Sequence, residues 1–369
     1  MSYIPFNPRP LPLGSDQPPW GYYGNLEHGA IASISRLDGM MCASAKADLF
    51  WITWLMKEAQ CSNVIEGTVT SFDEVVAENA GVVAPPARRN DIHEVLNYRE
   101  AMLDGLQAIS NGRQLTLSII KSLHENLLRG ARGDGKNPGE FRHVQVHIGR
   151  PGDPIEKALF IPPEPIRLLD LLENWCSFIS RTDINPIVQV AVTHAQFEMI
   201  HPFLDGNGRM GRLLITLFLA SKKLIHKPCF YISSYLQSHR EEYYSALGAI
   251  SKNGDWDTWI KFFLNGVISH CNSNISLLEN MTLLYERSKT EFSDVTHSSF
   301  AISALDYMFA NPVFTTPNLI QSTTPHISSQ GVLQVIKKLK VAGIIDVIRP
   351  GKGKRPTIYK FNELMNLLS

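Results

Sequence analysis

Apolar residues recur at helical spacing along several long stretches of the chain. Leu115–Leu128 places its apolar side chains on one helix face, and Pro186–Ile200 and Arg209–Lys222 are two further apolar runs. Asn185 is a favourable N-cap for the second run, and Pro186 suits the first position of a helix. The pattern therefore predicts two buried helices that are joined by the short polar turn from residue 201 to residue 208.

The pattern changes in two other places. Residues 1–24 are rich in Pro, Gly and Tyr, which indicates an extended arm on the surface. Val144–Ile148 alternates apolar and polar residues, Gly149–Pro154 has the composition of a turn, and Ala158–Ile161 could return as a second strand. Alternation followed by turn chemistry predicts a β-hairpin over Val144–Ile161.

The C-terminal part has a character of its own. The charged, Ser- and Thr-rich residues Glu286–Ser299 indicate a linker or loop. After it we expect three helices, over Phe300–Phe309, Thr316–Ser322 and Ser328–Ala342. Two strands should follow, over Ile344–Val347 and Thr357–Phe361. Three helices followed by a two-stranded ribbon resemble a winged helix.

The expected winged helix carries basic and amide side chains. The tip of its ribbon, Arg349–Arg355, is basic, and its third helix presents Gln330, Gln334, Lys337, Lys338 and Lys340. Such a helix could enter a major groove of DNA while the wing contacts phosphates. Winged helices also dock on proteins or form homodimers, and the balance of 35 basic against 35 acidic residues disfavours DNA as the partner.

Candidate chemistry is concentrated in the twelve residues His201–Arg212, which hold a histidine, a carboxylate, a Gly-Asn-Gly sequence and two arginines. Unpaired N–H groups at the start of the following helix, together with its dipole, favour an anion. Gly206 and Gly208 lack a Cβ, so a phosphate can approach the main chain. Each feature alone would fit a plain turn, a cap or a solvated face. Their combination within one turn predicts a phosphate site with a histidine at its rim.

This turn resembles the motif of the Fic family, His-x-Phe-x-(Asp/Glu)-Gly-Asn-Gly-Arg-x-x-Arg, at every fixed position. Glu94–Tyr98, Pro138–Arg142 and Phe160–Pro163 are also similar to Fic proteins, so the resemblance covers roughly residues 30 to 275. It implies an all-α fold, with a helical Fic core and a small β-hairpin flap. The expected domains are an N-terminal arm and helix region over residues 1–90, the Fic core over 91–285, and the winged helix over 295–369.

The resemblance also implies a role for each residue of the motif. His201 would be the general base that takes a proton from a target hydroxyl, and Phe203 would anchor the turn in the core. Asp205 would hold Mg²⁺ on ATP. Arg209 would neutralise the β-phosphate, and Arg212 would neutralise the γ-phosphate. The anion hole and the rest of the nucleotide site would be formed by Gly206, Asn207, Gly208, Met210 and Gly211, together with these two arginines. By family position, Leu236 is an expected adenine contact.

A second motif concerns regulation. Ser62–Gly67 follows an aromatic-rich apolar run that begins near Ala45, and Gly67 is suited to ending a helix. By itself, Glu66 could be an ordinary charge at a helix end. However, Ser62, Glu66 and Gly67 are similar to the Fic inhibitory signature (Ser/Thr)-x-x-x-Glu-(Gly/Asn). The resemblance implies that Glu66 lies beside the nucleotide site and pairs with Arg212, so that ATP binds without its full guanidinium clamp.

Composition agrees with a globular protein of two or three domains, because 44% of the 369 residues are apolar. The five cysteines are scattered and odd in number, which is typical of a reducing compartment. The N-terminal sequence has neither a basic region nor an apolar core of a signal peptide, and no apolar run approaches the ~20 residues that span a bilayer. We therefore expect a cytoplasmic protein that does not insert into membranes.

Three functions remain open on these observations. The first is an autoinhibited protein adenylyltransferase that transfers AMP from ATP to a Ser, Thr or Tyr hydroxyl of a target protein, or of itself, with the target held by the Val144–Ile161 flap. The second is a Fic enzyme that removes AMP or transfers another phosphate group, although Gly208 disfavours phosphorylation. The third is a winged-helix transcription regulator whose Fic core senses ATP.

Overall fold

The structure is a computed structural model that describes residues 4–13, 23–81, 84–130, 135–150, 152–323, 328–353 and 355–368. Within these ranges the chain forms fifteen α-helices and a small antiparallel sheet, which confirms the all-α prediction. The helices are α1 Asn25–Ala43, α2 Ala47–Ile65, α3 Phe72–Asn79, α4 Pro86–Ser110, α5 Leu117–Leu128, α6 Leu168–Ser180, α7 Pro186–Ile200, α8 Asn207–Ser221, α9 Ser233–Ser238, α10 Arg240–Asn253, α11 Trp256–Thr296, α12 Ala301–Ala310, α13 Thr316–Thr323, α14 Ser329–Val341 and α15 Asn362–Leu368. The strands are β1 Val313–Thr315, β2 Ile345–Arg349 and β3 Ile358–Phe361.

Helix α7 is the centre of the hydrophobic core. Almost every residue on it is buried, because α8 covers one side and α6, α11 and α1 cover the others. A largely apolar helix that buries residues on all of its faces can be stable only when it is enclosed in this way. The predicted bounds of α7 and its Asn185 cap are confirmed, since Asn185 Oδ1 accepts a hydrogen bond of 3.0 Å from the backbone N–H of Ile187.

The predicted linker over Glu286–Ser299 was wrong, because residues up to Thr296 continue α11 as a single 41-residue helix. Most of the charged and hydroxyl residues of this stretch lie on its exposed side, although Ser288 and Thr296 are buried. Tyr285, Phe292 and Thr296 form a buried face that contacts the C-terminal part. The composition of the stretch concealed this apolar stripe, which repeats at helical spacing.

The C-terminal part contains the elements in the order helix, strand, helix, helix, strand, strand, from α12 to β3. Its sheet has the strand order β1-β3-β2, and both pairings are antiparallel. The short strand β1 was not predicted. The tip of the basic ribbon closes with a bridge between Lys352 and Arg355, while Lys354 lies outside the described residues. The winged-helix assignment and its domain bounds stay predictions.

The predicted hairpin over Val144–Ile161 was wrong in its extent. One antiparallel bridge joins Ile148 to Phe160, and the described part of the segment otherwise has no strand pairing. Side chains take the place of the ladder, since Gln145 Nε2 donates to Pro162 O at 2.8 Å and Arg142 Nη2 donates to Pro163 O at 2.6 Å. Two consecutive prolines supply no N–H group for a ladder. Pro151 at the predicted turn lies outside the described residues.

Part of the predicted N-terminal arm can be described. The Leu11 main chain exchanges two hydrogen bonds of 2.8 Å with the Asn174 side chain, and Leu11 and Leu13 are buried. Residues 4–13 have no regular secondary structure and lie against the core, while residues 1–3 and 14–22 lie outside the described residues.

Among the helices in the described ranges, none has both the length and the apolar character that a membrane span requires.

The contact between α12 and α2 provides a test of the core. Phe309 is fully buried and its ring lies 5.7 Å from that of Phe50, 5.1 Å from that of Tyr285 and 5.7 Å from that of Phe361. We expect Phe309→Ala to destabilise the protein by about 3–5 kcal/mol, because a cavity forms where four elements meet. Leu333→Ala, at a half-exposed position on α14, is the matched control for urea unfolding. Equal loss of stability in both variants would contradict the assignment.

Candidate nucleotide site

The turn between α7 and α8 is built from two residues in the left-handed backbone conformation. His201 ends α7 with φ 49°, and Gly206 precedes α8 with φ 75°. Gly206 is also crowded, since a Cβ there would lie 3.3 Å from Leu128 Cδ2. A glycine adopts this conformation at no steric cost. The first turn of α8 therefore presents its free N–H groups beside His201, as the sequence predicts for an anion site.

Two interior contacts fix the shape of the turn. The Asn207 side chain accepts a hydrogen bond from Phe203 N at 2.8 Å and donates one to Phe203 O at 2.9 Å. The Phe203 ring is fully buried and stacks on His124, with the ring centroids 3.6 Å apart. Phe203 therefore anchors the turn, as predicted. The side-chain amide of Asn207 thus holds the main chain in place. The backbone N–H of Asn207 remains available to an anion.

His124 holds the turn from the opposite side. Its Nδ1 accepts from the backbone N–H of Gly139 at 2.9 Å, so its Nε2 donates to Asp205 O at 3.0 Å. Burial lowers the pKa of His124 to about 4, so this arrangement is kept with a neutral ring. His124 is thus a satisfied core histidine that also positions the predicted metal ligand.

His201 is held as a neutral imidazole. Burial lowers its pKa to about 4, although the carboxylates of Glu66 and Asp205 act in the opposite direction. Its Nδ1 lies 3.3 Å from Glu198 O, and a proton on Nδ1 leaves Nε2 as a free acceptor. The buried Arg142 fixes the backbone here, since its Nε donates to His201 O at 2.9 Å. A neutral ring with one nitrogen available is what a general base requires.

Asp205 forms the exposed edge of the site, and Arg209 lies beneath it. Arg209 is buried, and it donates to Glu94 Oε2 at 3.0 Å and to Asp205 Oδ1 at 3.3 Å. The Asp205 side chain is 42% exposed, and its Oδ1 also accepts from Gly206 N at 2.6 Å. An accessible carboxylate beside the N-terminal N–H groups of α8 fits Mg²⁺, which is commonly bound through one or two carboxylates and the phosphates of a substrate.

Arg212 is paired with the second motif. This fully buried guanidinium donates to Glu66 Oε1 at 2.6 Å, to Ser62 Oγ at 2.9 Å and to Ser62 O at 2.9 Å. Burial acts to raise the pKa of Glu66, but the charge and the hydrogen bond of Arg212 outweigh it, so the pKa falls below its usual value. Glu66 is the C-cap residue of α2, and Gly67 follows it with φ 93°.

The Glu66 carboxylate also lies directly against the first turn of α8. A Cβ added to Gly208 would clash with Glu66 Oε1 and would lie 3.0 Å from Arg212 Nη1. The Glu66 carboxylate therefore lies near the N-terminal N–H groups of α8, at the position where the helix dipole favours an anion. The two motifs, which are far apart in the sequence, meet at one point.

The sequence analysis missed a group of buried side chains around this point. Glu198 lies next to Gly211 so closely that a Cβ on Gly211 would clash with it, and burial raises the pKa of Glu198 to about 8. His194 Nε2 and the Tyr243 hydroxyl are 3.0 Å apart on the same side. Glu198 precedes His201 by three residues and so lies on the same helix face, which is the signal that could have identified it.

Three further predicted nucleotide contacts lie in the interior of the protein. Met210 and Leu236 are fully buried, on α8 and α9 respectively, and neither side chain reaches the surface. Gly211 faces Glu198 in the interior. Their assignment to the nucleotide site stays a prediction.

Comparison with known proteins agrees with this geometry. Residues 114–219 match the Fic/DOC family, and residues 26–107 match the N-terminal part of the same family. Protein adenylyltransferase Fic of Drosophila grimshawi is 30% identical over 202 residues, which are 54% of this chain and 38% of that protein. Protein adenylyltransferase fic-1 of Caenorhabditis elegans is 29% identical over 161 residues, which are 42% of this chain and 30% of that protein. The chain thus spans about a third of the length of these relatives.

Solved structures show the same fold. A Fic family protein from Desulfovibrio desulfuricans G20 superposes with a TM-score of 0.58 at 22% identity, over 94% of this chain and 98% of that one. Residues 134–508 of Caenorhabditis elegans Fic-1 superpose with a TM-score of 0.56 at 20% identity, over 69% of this chain and 74% of that one. The two family matches, together with the complete His201–Arg212 motif, show that the chain belongs to the Fic/DOC family.

Proposed function

We propose that this protein transfers AMP from ATP to a hydroxyl group of a protein. The observation that carries the proposal is a neutral, anchored His201 beside a helix N-terminus that holds two arginines and one exposed carboxylate. The relatives named protein adenylyltransferase support the same chemistry. In the reaction, the target oxygen bonds to the α-phosphorus, the bond to pyrophosphate breaks, and the hydroxyl proton passes to Nε2 of His201.

The remaining residues of the turn bind and orient the nucleotide. Backbone N–H groups at Asn207 and Gly208 would stabilise the charge that develops on the α-phosphate. The Gly206 N–H is given to Asp205 Oδ1 in this structure, so it would join them only when Asp205 turns to the Mg²⁺ ion. Arg209 neutralises the β-phosphate, and Arg212 neutralises the γ-phosphate through its planar fork. Asp205 would hold the Mg²⁺ of Mg-ATP, which supplies positive charge to the phosphate oxygens. Catalysis then rests mainly on position and electrostatics.

Glu66 is the inhibitory residue in this proposal. It takes the hydrogen bond that Arg212 would otherwise give to the γ-phosphate, and its charge repels a phosphate near the first turn of α8. ATP could then bind only without its γ-phosphate clamp, with the α-phosphate out of line for attack. Release of Glu66 would restore the clamp.

The Val144–Ile161 flap is the proposed contact for the target protein. Its single bridge leaves backbone groups available, and Val144, Ile148 and Leu159 are exposed by 47%, 39% and 78%. Arg142 connects the flap to the turn, since its Nη1 donates to Val144 O at 3.2 Å and its Nε donates to His201 O. An extended target segment could pair with this edge and bring its hydroxyl to His201.

Incubation of the protein with ATP labelled at the α- or the γ-phosphate distinguishes the candidate functions. Label from the α-position alone supports AMP transfer, whereas label from the γ-position alone means phosphorylation. Loss of label from a protein that already carries AMP would support AMP removal, with Glu66 positioning a water. If no label is transferred and the protein shifts the electrophoretic mobility of a specific DNA sequence, the ATP-sensing regulator would be favoured.

We expect His201→Ala to bind Mg-ATP but to lose AMP transfer by about 10²–10⁴-fold, because the general base is removed. The matched control is His297→Ala, since His297 also ends a helix in the left-handed conformation, with φ 47°. Both variants should keep the helical circular-dichroism spectrum. Transfer at the wild-type rate by His201→Ala would exclude this residue as the base.

We expect Glu66→Gly to transfer AMP faster than the wild type by about ten- to a hundredfold, which corresponds to a charge-assisted hydrogen bond of about 1.5–3 kcal/mol. Glu66→Gln keeps the size of the side chain and should give a smaller gain. Adding Arg212→Ala to Glu66→Gly should abolish the gain. Initial rates with α-labelled ATP compare the four proteins, and a Glu66→Gly rate at or below that of the wild type would mean that Glu66 does not inhibit.

The lowered pKa of His201 predicts the pH dependence of transfer. An ordinary histidine, with a pKa of about 6.5, would lose half of its neutral form at that pH. Because burial lowers the pKa of His201 to about 4, its base form persists as the pH falls, and kcat should decline only well below pH 6. The measurement is kcat of Glu66→Gly at saturating Mg-ATP between pH 5 and pH 8. A half-maximal rate near pH 6.5 would contradict a buried base.

A further inference from the structure

Three metal-binding side chains meet on the side of α1, outside the site described above. Asp38 and Cys42 lie one helical turn apart on α1, and His226 lies in the loop that follows α8. Asp38 Oδ2 lies 2.8 Å from His226 Nδ1, and Asp38 Oδ1 lies 3.9 Å from Cys42 Sγ. One candidate ligand atom from each residue lies within 4.8 Å of those from the other two.

The backbone already holds this arrangement. Asp38 Oδ1 accepts hydrogen bonds from His226 N at 2.7 Å and from Lys227 N at 3.3 Å, so the loop and the helix are fixed relative to each other. Outer hydrogen bonds of this kind orient the ligands of metal sites. The second carboxylate oxygen, Oδ2, faces the imidazole. The nearby Lys227 ammonium is engaged by Asp48 at 2.7 Å.

We propose that Asp38, Cys42 and His226 bind one Zn²⁺ ion, with water as the fourth ligand. A thiolate, an imidazole and a carboxylate are the ligands that zinc takes in proteins. Zinc bonds of about 2.0–2.3 Å at tetrahedral angles place ligand atoms about 3.3–3.8 Å apart, so shifts of about 1 Å or less complete the site. Binding would release the proton of the Cys42 thiol, and the ring proton of the neutral His226 would move from Nδ1 to Nε2.

The location shows what the ion would do. It would tie α1 to the loop after α8, in addition to the hydrogen bonds of Asp38. His226 and Lys227 also line a cavity of about 1490 Å³, together with Trp51 and Pro228. His226 is 66% exposed and Cys42 is exposed, so both are accessible to an ion from solution.

Cobalt titration of the full chain tests the proposal, because Co²⁺ replaces Zn²⁺ and a thiolate ligand gives a sulfur-to-cobalt absorption band. We expect one equivalent of Co²⁺ to give this band, and Zn²⁺ to displace it. Cys42→Ser should abolish the band. His226→Asn should weaken Zn²⁺ binding by at least about 10–100-fold. That loss is typical when only a hydrogen-bond partner of a metal ligand is removed, and here a ligand itself is removed. Both positions are exposed, so folding should not change, and circular dichroism checks this.

Cys176→Ser is the matched control, since Cys176 is partly exposed and lies outside the cluster. It should bind like the wild type. Metal held by the carboxylate of Asp205 would give no sulfur band, so it cannot imitate the expected result. Absence of the band in the wild type, or its persistence in Cys42→Ser, would overturn the assignment.

Discussion

The pairing of Arg212 with Glu66 is the interaction on which the candidate site depends. A fully buried guanidinium without a partner would cost several kcal/mol, so some negative or polar group must always lie against it. In this structure the partners are the Glu66 carboxylate and two oxygens of Ser62, all at the end of α2. A phosphate at the same place would satisfy the same charge. In the proposed function, the site would hold either its own carboxylate or the γ-phosphate, and this exchange is the physical basis of the proposed inhibition.

The position of Glu66 is determined by everything that holds α2. Glu58, two turns earlier on α2, is buried and accepts hydrogen bonds from Tyr98 and from the main chain and hydroxyl of Ser233. At the other end of the helix, Phe50 lies against Phe309 of α12, and Lys46 lies beside Asp306 with Nζ 2.9 Å from Oδ1. The end of α2 that carries Glu66 is thus connected to the C-terminal part through one continuous helix. Any partner that moves α12 would have to move α2 or break these contacts.

The sequence predicted the parts of the site that depend on local chemistry. The N-cap and proline of α7, the glycines of the turn and the histidine–arginine spacing each have a local physical reason, and they lie together in the structure. The roles of these residues in catalysis stay predictions. Glu94, Arg142 and Glu198 were missed as site residues because their importance comes from contacts with distant segments. Arg142, for example, bonds to the main chain at residues 144, 163, 200 and 201.

Two of the errors in secondary structure have similar causes. Composition indicated a linker after residue 285, but packing against the C-terminal part stabilises a polar helix there. Alternation indicated two strands in the flap, but side chains and prolines replaced the ladder. In both cases tertiary contacts outweighed the local preference of the chain. A single sequence does not show such contacts.

The relation between Glu66 and the γ-phosphate can be measured without any target protein. Isothermal titration calorimetry would compare the affinities of the wild type and of Glu66→Gly for Mg-ATP and for Mg-ADP. If Glu66 occupies the place of the γ-phosphate, its removal should strengthen Mg-ATP binding by about ten- to a hundredfold and Mg-ADP binding much less, because only ATP can use the freed Arg212. An equal gain for both nucleotides, or no gain for ATP, would contradict the exchange of carboxylate and phosphate at Arg212.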